Sequence, residues 1–147
     1  MNERKSNSSG SSRAASVIRK TDWMLQGTEG MTVKQRKFLN AVCGDLEQID
    51  WHGHHLDKDD WRHTLAGTVL GFRFVPGINT GHGAAGMMML GRSSLDMSKT
   101  QAAEAINLGL DIGDHPEDQG LRCRSVQWSD VVLLGLGFNP RDFQEAA

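Results

Sequence analysis

Apolar positions recur with a helical period in three stretches of the chain. Thr32 and Gln35 form a T-x-x-Q capping pair, and Phe38, Val42, Leu46 and Ile49 follow at spacings of four, four and three. This pattern predicts an amphipathic helix over 33–49. Asp57 is placed as the N-cap of a second helix, with Asp59 and Asp60 in its first turn, Trp61, Leu65 and Val69 on one face, and Gly71 at its end. Ser98 and Gln101 make another capping box ahead of Ala102, Ala105, Ile106 and Leu110, a third helix that should run to about Ile112 and stop at Gly113. Between the second and third helices, the runs Arg73 to Val75 and Met87 to Leu90 flank eleven residues with four glycines. They read as an antiparallel hairpin with a long loop, Met87, Met88 and Met89 serving as strand and core filler. The segment Trp51 to Trp61 reads as a loop entering the second helix, and DHPEDQGLRC as another loop. WSDVVLLGLGF is either a short helix capped by Ser129 or a β-branched strand, and the helix is preferred. The expected fold is α+β, a mainly helical domain over 32–147 with one short hairpin.

Composition adds an asymmetry that the pattern does not show. The 147 residues hold 16 Lys and Arg against 18 Asp and Glu, a net charge of −2. Residues 1–37 carry eight basic and three acidic side chains, and residues 38–147 eight and fifteen, which divides the chain into +5 and −7. The first 21 residues are rich in Ser and poor in apolar side chains, so 1–31 is expected to be a flexible basic arm. Lys34, Arg36 and Lys37 sit in the first turn of the first helix, where cations have the wrong sign for the helix dipole. Their placement suits either solubility or a surface built for phosphate. No apolar stretch has the length of a membrane span and no signal-peptide core opens the chain, so a soluble, cytoplasmic protein with no membrane partner is expected. Cys43 and Cys123 stand far apart with no C-x-x-C spacing, which proposes neither a disulfide framework nor a thiolate zinc site.

Three groups of residues invite a chemical reading. GHGAAG, from Gly81 to Gly86, matches G-x-G-x-x-G, but only four residues separate Gly86 from Gly91, too few for the helix that a pyrophosphate site requires. His52, His54, His55 and His63 lie among Asp57, Asp59 and Asp60, so a metal-dependent nuclease over 52–63 is the competing enzymatic reading. Its H-x-H-H spacing fits no standard ligand set, and the aspartates already have a role at a helix start. Trp51 and Trp128 stand at the edges of apolar segments, where a half-exposed ring can stack on a base.

The order of short motifs carries a resemblance. A capped helix with QRK near its start, then WHG, LD-x-x-x-W-R, VPG, GRSS-x-x-M, a helix and QWSD is similar to the NinB (Orf) recombination proteins of lambdoid bacteriophages, over about residues 33–130. The resemblance implies a non-catalytic mediator without a cofactor. It implies preference for single-stranded DNA over duplex, a ring-shaped homodimer, an interaction with host single-strand-binding protein and help in loading a strand-exchange recombinase. The family's polar helix start falls on Lys34, Gln35, Arg36 and Lys37, its basic position in the second helix on Arg62, and its segment after the hairpin on Arg92, Ser93 and Ser94. Together with Arg73 and the Trp51 ring, these residues form the expected nucleic-acid surface. The chain departs from the family in having Asp96 where the pattern has Arg, in lacking a recognisable strand, helix and strand module in 1–31, in the apparent insertion of 114–122, and in ending on NPRDFQEAA in place of a basic, aromatic helix.

Overall fold

The computed structural model describes residues 17–83 and 86–139. The element order is α1 (Lys20–Trp23), α2 (Val33–Leu46), β1 (Asp50–Trp51), β2 (His54–His55), α3 (Lys58–Leu70), β3 (Phe72–Pro76), β4 (Met87–Gly91), a 3-10 turn at Ser94–Asp96, α4 (Lys99–Asp114), a second 3-10 turn at Pro116–Gln119, and α5 (Asp130–Gly135). The fold is therefore α+β and mainly helical, with antiparallel strand pairs.

Both anticipated capping boxes form, and Asp57, expected as an N-cap, makes a third with Asp60. Thr32 Oγ1 accepts from Gln35 N at 3.0 Å, Asp57 Oδ1 from Asp60 N at 2.8 Å, and Ser98 Oγ from Gln101 N at 3.2 Å, each with the reciprocal side-chain bond. These caps satisfy N–H groups that have no partner inside the helix. Helices α2, α3 and α4 pack on one another, and α1 and α5 lie against α2. Phe38, Leu39, Val42, Cys43 and Leu46 of α2 meet Trp61, Leu65 and Ala66 of α3 and Ala102, Ala105, Ile106 and Leu110 of α4 in one core. The small residues on α4 set how closely it docks: a Cβ on Gly109 would lie 3.0 Å from Val42 Cγ1 and 3.1 Å from Leu65 Cδ1.

Several boundaries differ from the sequence expectation. Helix α2 ends at Leu46, and the turn that follows buries Ile49. Gly113 does not stop α4, which continues to Asp114. Its missing side chain makes room instead for Trp128, whose Cζ2 would be 2.3 Å from a Cβ there. The WHGHH segment is a small hairpin, Asp50 opposite His55 and Trp51 opposite His54, turning at His52 and Gly53, both at positive φ. WSDVVLLGLGF resolves in favour of the helix, α5.

The fold begins before Thr32. Ile18 and Trp23 are buried, Trp23 Nε1 donates to Gly135 O at 2.9 Å, and the Trp23 ring stacks on Phe38 with centroids 5.2 Å apart. Residues 27–31 run beside the start of α4, with Met31 N donating to Met97 O, Lys99 N to Glu29 O and Gly27 N to Thr100 Oγ1. The expected arm over 1–31 is thus corrected for 17–31, which belongs to the body; residues 1–16 lie outside the described residues. The C-terminal segment 140–147 lies outside them too.

The β3–β4 hairpin pairs Phe72 with Gly91, Arg73 with Leu90, Phe74 with Met89, Val75 with Met88 and Pro76 with Met87. Its methionines are strand residues as expected but not core filler. Met87, Met88 and Met89 are exposed, as are Phe72, Phe74 and Leu90, because no other element packs extensively on the hairpin among the described residues. The glycine-rich loop joins two strands, so the element after Gly86 is β4 and the dinucleotide reading has no helix to rest on.

Candidate nucleic-acid interface

Four of the ten expected surface residues converge. Arg36 from α2, Arg62 from α3, and Ser93 and Ser94 from the segment after the hairpin line one recess of about 190 Å³, with Met31, Leu39 and Leu95 as its apolar walls. The sequence brings them together through the three-helix packing: Arg36 lies on the polar side of the α2 stripe, and Arg62 follows the buried Trp61 on α3. Arg62 is held in place. Its Nη1 donates to Asn40 Oδ1 at 3.0 Å and its Nη2 lies 3.0 Å from Asp59 Oδ1. Two anchors fix the guanidinium plane and leave further N–H donors for a ligand. Ser93 opens the 3-10 turn, its Oγ accepting from Leu95 N at 3.2 Å.

A second, more open recess of about 340 Å³ lies at the base of the hairpin, lined by Gly71, Phe72, Arg73, Leu90, Gly91 and Arg92. Arg92 and Ser93 are neighbours in the chain, so one segment contributes to the lining of both recesses. Arg36, Lys37, Arg73 and Arg92 are exposed, and among the described residues none of them has an ion-pair partner. Lys34 is exposed too, but its Nζ lies 3.6 Å from Asp22 Oδ1.

Gln35 does not belong to this surface. It is fully buried, its Nε2 donating to Trp23 O at 3.0 Å and to Lys99 O at 2.9 Å while its Oε1 accepts from Thr32 N at 3.0 Å. Its polar atoms are consumed in tying α1, α2 and α4 together. Trp51 is half-buried and lines neither recess; its ring stands edge to face with Trp61, centroids 5.4 Å apart. Trp128 packs on Gly113 and donates from Nε1 to Asp114 Oδ1 at 2.7 Å. Asp96, the departure from the family pattern, is exposed at the end of the 3-10 turn.

The histidine and aspartate segment offers no gathered donor set. Among the described residues no three of His, Cys, Asp and Glu stand together as ligands for one ion. Asp57 and Asp60 cap each other's backbone at the start of α3, and Asp59 holds Arg62. Both cysteines are free thiols, and burial pushes that of Cys43 up to about 12. Among the described residues no helix is long and apolar enough to cross a membrane.

Sequence reasoning missed Asn40, Met31, Leu39 and Leu95. Asn40 has no pattern to mark it, since its role depends on a contact with Arg62 across two helices. Leu39 falls outside the i, i+4 stripe read for α2, and Met31 lies in the stretch whose composition reads as an arm.

Comparison with known proteins bears on the family and the fold. The chain is 30% identical to protein ninB of Salmonella phage P22 over 117 residues, covering 79% of this chain and 72% of that protein. It is 27% identical to protein ninB of Escherichia phage lambda over the same shares. A solved NinB structure from structural genomics superposes with a TM-score of 0.52 at 22% identity, covering 84% of this chain and 76% of the other, which supports the fold. The family profile, NinB protein, matches residues 15–114, beginning upstream of Thr32 where the folded body also begins. By that match over more than half its length, the chain belongs to the NinB family.

Proposed function

We propose that this protein is a non-catalytic phage recombination mediator that binds single-stranded DNA along the two arginine-lined recesses. The observation that carries this reading is the convergence of Arg36, Arg62, Ser93 and Ser94, from three separate elements, on one recess. Guanidinium groups and hydroxyls are the usual partners of phosphate oxygens, and Arg73 and Arg92 continue the cationic surface toward the hairpin. Lys37 and Lys34 flank it. The acidic remainder of the chain confines DNA to this face. On the same reading the protein acts beside host single-strand-binding protein to load a recombinase, with the remaining surface free for protein partners.

A second copy of the chain is the proposed cover for the β3–β4 hairpin. A two-stranded hairpin is marginal in water by itself, and this one carries six exposed large apolar side chains, Phe72, Phe74, Met87, Met88, Met89 and Leu90. Self-association would bury them and double the number of phosphate contacts.

Salt-titrated binding to single-stranded and duplex DNA tests the proposal. If about four phosphates are contacted, log affinity falls against log salt with a slope near about −3 for a single strand. Removing Arg36 and Arg62 together by alanine substitution should lower the slope by about one to two. Affinity independent of salt, or metal-dependent cleavage of the strand, would overturn the reading.

A further inference from the structure

We infer that the recess between α2, α3 and the Ser94–Asp96 turn takes a single unstacked nucleobase of the bound strand, with the adjoining phosphate on Arg36 and Arg62. The inference rests on the single-strand reading above and adds what the recess recognises.

Charge alone does not explain a preference for single strands. Duplex DNA carries the denser row of phosphates, one per about 1.7 Å of axis, so a purely cationic surface favours duplex. Selectivity for a single strand needs a group that meets a base only when it is unpaired. The lining of the recess has that character. Met31, Leu39 and Leu95 give it apolar walls, which a hydrated phosphate cannot use, while Arg36, Arg62, Ser93 and Ser94 supply donors and acceptors beside them. Its volume of about 190 Å³ is below the about 300–1,000 Å³ of a cleft for a drug-sized ligand, and equals the share of roughly six waters in the liquid. That is the scale of one base and not of two stacked ones. Arg62, anchored by Asn40 and Asp59, presents a fixed plane with free N–H groups to the edge of such a base. A base inside a duplex reaches this site only after unpairing and unstacking, and the cost of that falls on duplex DNA alone.

The test compares the full chain's affinity for oligothymidine and for a strand of equal length made of abasic sites, at one salt concentration. The intact strand should bind about tenfold tighter, the factor that one base contact of ordinary strength supplies. Ser94→Phe fills the recess from its half-buried rim and should remove that ratio, so that intact and abasic strands bind alike. Leu95→Ser, at a side chain 61% exposed and so tolerated by the fold, should reduce the ratio by about threefold. Equal binding of intact and abasic strands by the wild type overturns the inference and leaves the DNA reading standing. So does a ratio that survives both substitutions but disappears in Trp51→Ala. Failure to retain either strand at low salt overturns both.

Discussion

Gln35 separates a structural glutamine from a nucleic-acid contact, and Gln35→Met makes the distinction measurable. Methionine keeps the length and shape of the side chain but removes three bonds, those to Trp23 O, Lys99 O and Thr32 N. Each is worth about 1 kcal/mol net, and the Trp23 carbonyl, buried at the contact, is left without that donor at a cost of about 1–3 kcal/mol. The loss should therefore total about 4–6 kcal/mol. For a chain of this size about 2–4 °C of Tm corresponds to 1 kcal/mol, which places the variant's Tm about 10 °C lower. Thermal unfolding followed by circular dichroism gives the shift, and Trp23 fluorescence should report a looser ring, since Gln35 holds its backbone. Single-strand affinity measured well below both melting temperatures should be unchanged. The charged variant Gln35→Glu sharpens the argument. A carboxylate cannot donate to two carbonyl oxygens, so its folded pKa must rise above its unfolded value of about 4.3. Its stability is then fullest below that value and declines as pH rises through the folded pKa. A Gln35→Met protein that melts within about 2 °C of wild type but binds DNA tenfold more weakly would refute this assignment.

Other outcomes follow from the packing and the titrating groups. Gly135→Ala places a Cβ 2.2 Å from Phe38 Cε1, which is pinned between Trp23 and the core, so it should cost about 1–3 kcal/mol or more in a denaturant melt. Gly44→Ala, where the nearest atom is Lys58 Cδ at 3.9 Å inside a regular helix, should instead stabilise by about 0.5–1 kcal/mol in the same melt. Asp45 has its pKa raised by burial, although its Oδ2 accepts from Ser129 N at 2.8 Å. A raised carboxyl contributes stability below its unfolded value and loses it as pH rises through the folded one, so Asp45→Asn should melt higher than wild type at pH 7 and converge with it in acid. A thiol reagent at pH 8 should titrate one cysteine of the folded chain, Cys123, since Cys43 is buried with its pKa pushed up to about 12; two reactive thiols before unfolding would contradict the placement of α2. Asn40→Ala should weaken single-strand binding by releasing Arg62 while leaving the salt slope in place, which a gel-shift titration at several salt concentrations would read.

What the sequence discloses here follows the range of each interaction. The capping boxes, the α2 stripe and the hairpin are local, fixed within three or four residues or by alternation, and each appears where the pattern puts it. The segment 17–31 is held by partners some seventy residues away, at Met97, Lys99 and Thr100, and by Gly135 at the far end of the chain. Its own composition therefore reads as a tail. Gly113 fails for the same reason: a glycine near a helix end reads as a stop, and only Trp128 from a later loop shows that it is a contact surface. Family resemblance supplied Arg36, Arg62, Ser93 and Ser94 as positions, but it could not distinguish them from Gln35, which sits beside Arg36 in the same motif and faces the other way. That distinction depends on helical phase. One residue along α2 is about 100° of rotation, enough to turn Gln35 into the α1–α4 contact and Arg36 out to the recess. The charge division changes meaning accordingly. Part of the basic N-terminal excess, at Arg19, Lys20 and Lys34, is mounted on the folded body, and Lys34 is already paired with Asp22. Arg36, Lys37, Arg73 and Arg92, two on α2 and two at the base of the hairpin, have no acidic partner among the described residues, and neither do Arg19, Lys20, Lys58, Arg122 and Arg124 elsewhere on the body. What sets the recesses apart is therefore the gathering of Arg36, Arg62, Arg73 and Arg92 along their linings, and the affinity of a chain of net charge −2 for a polyanion should depend on that local arrangement far more than on its total charge.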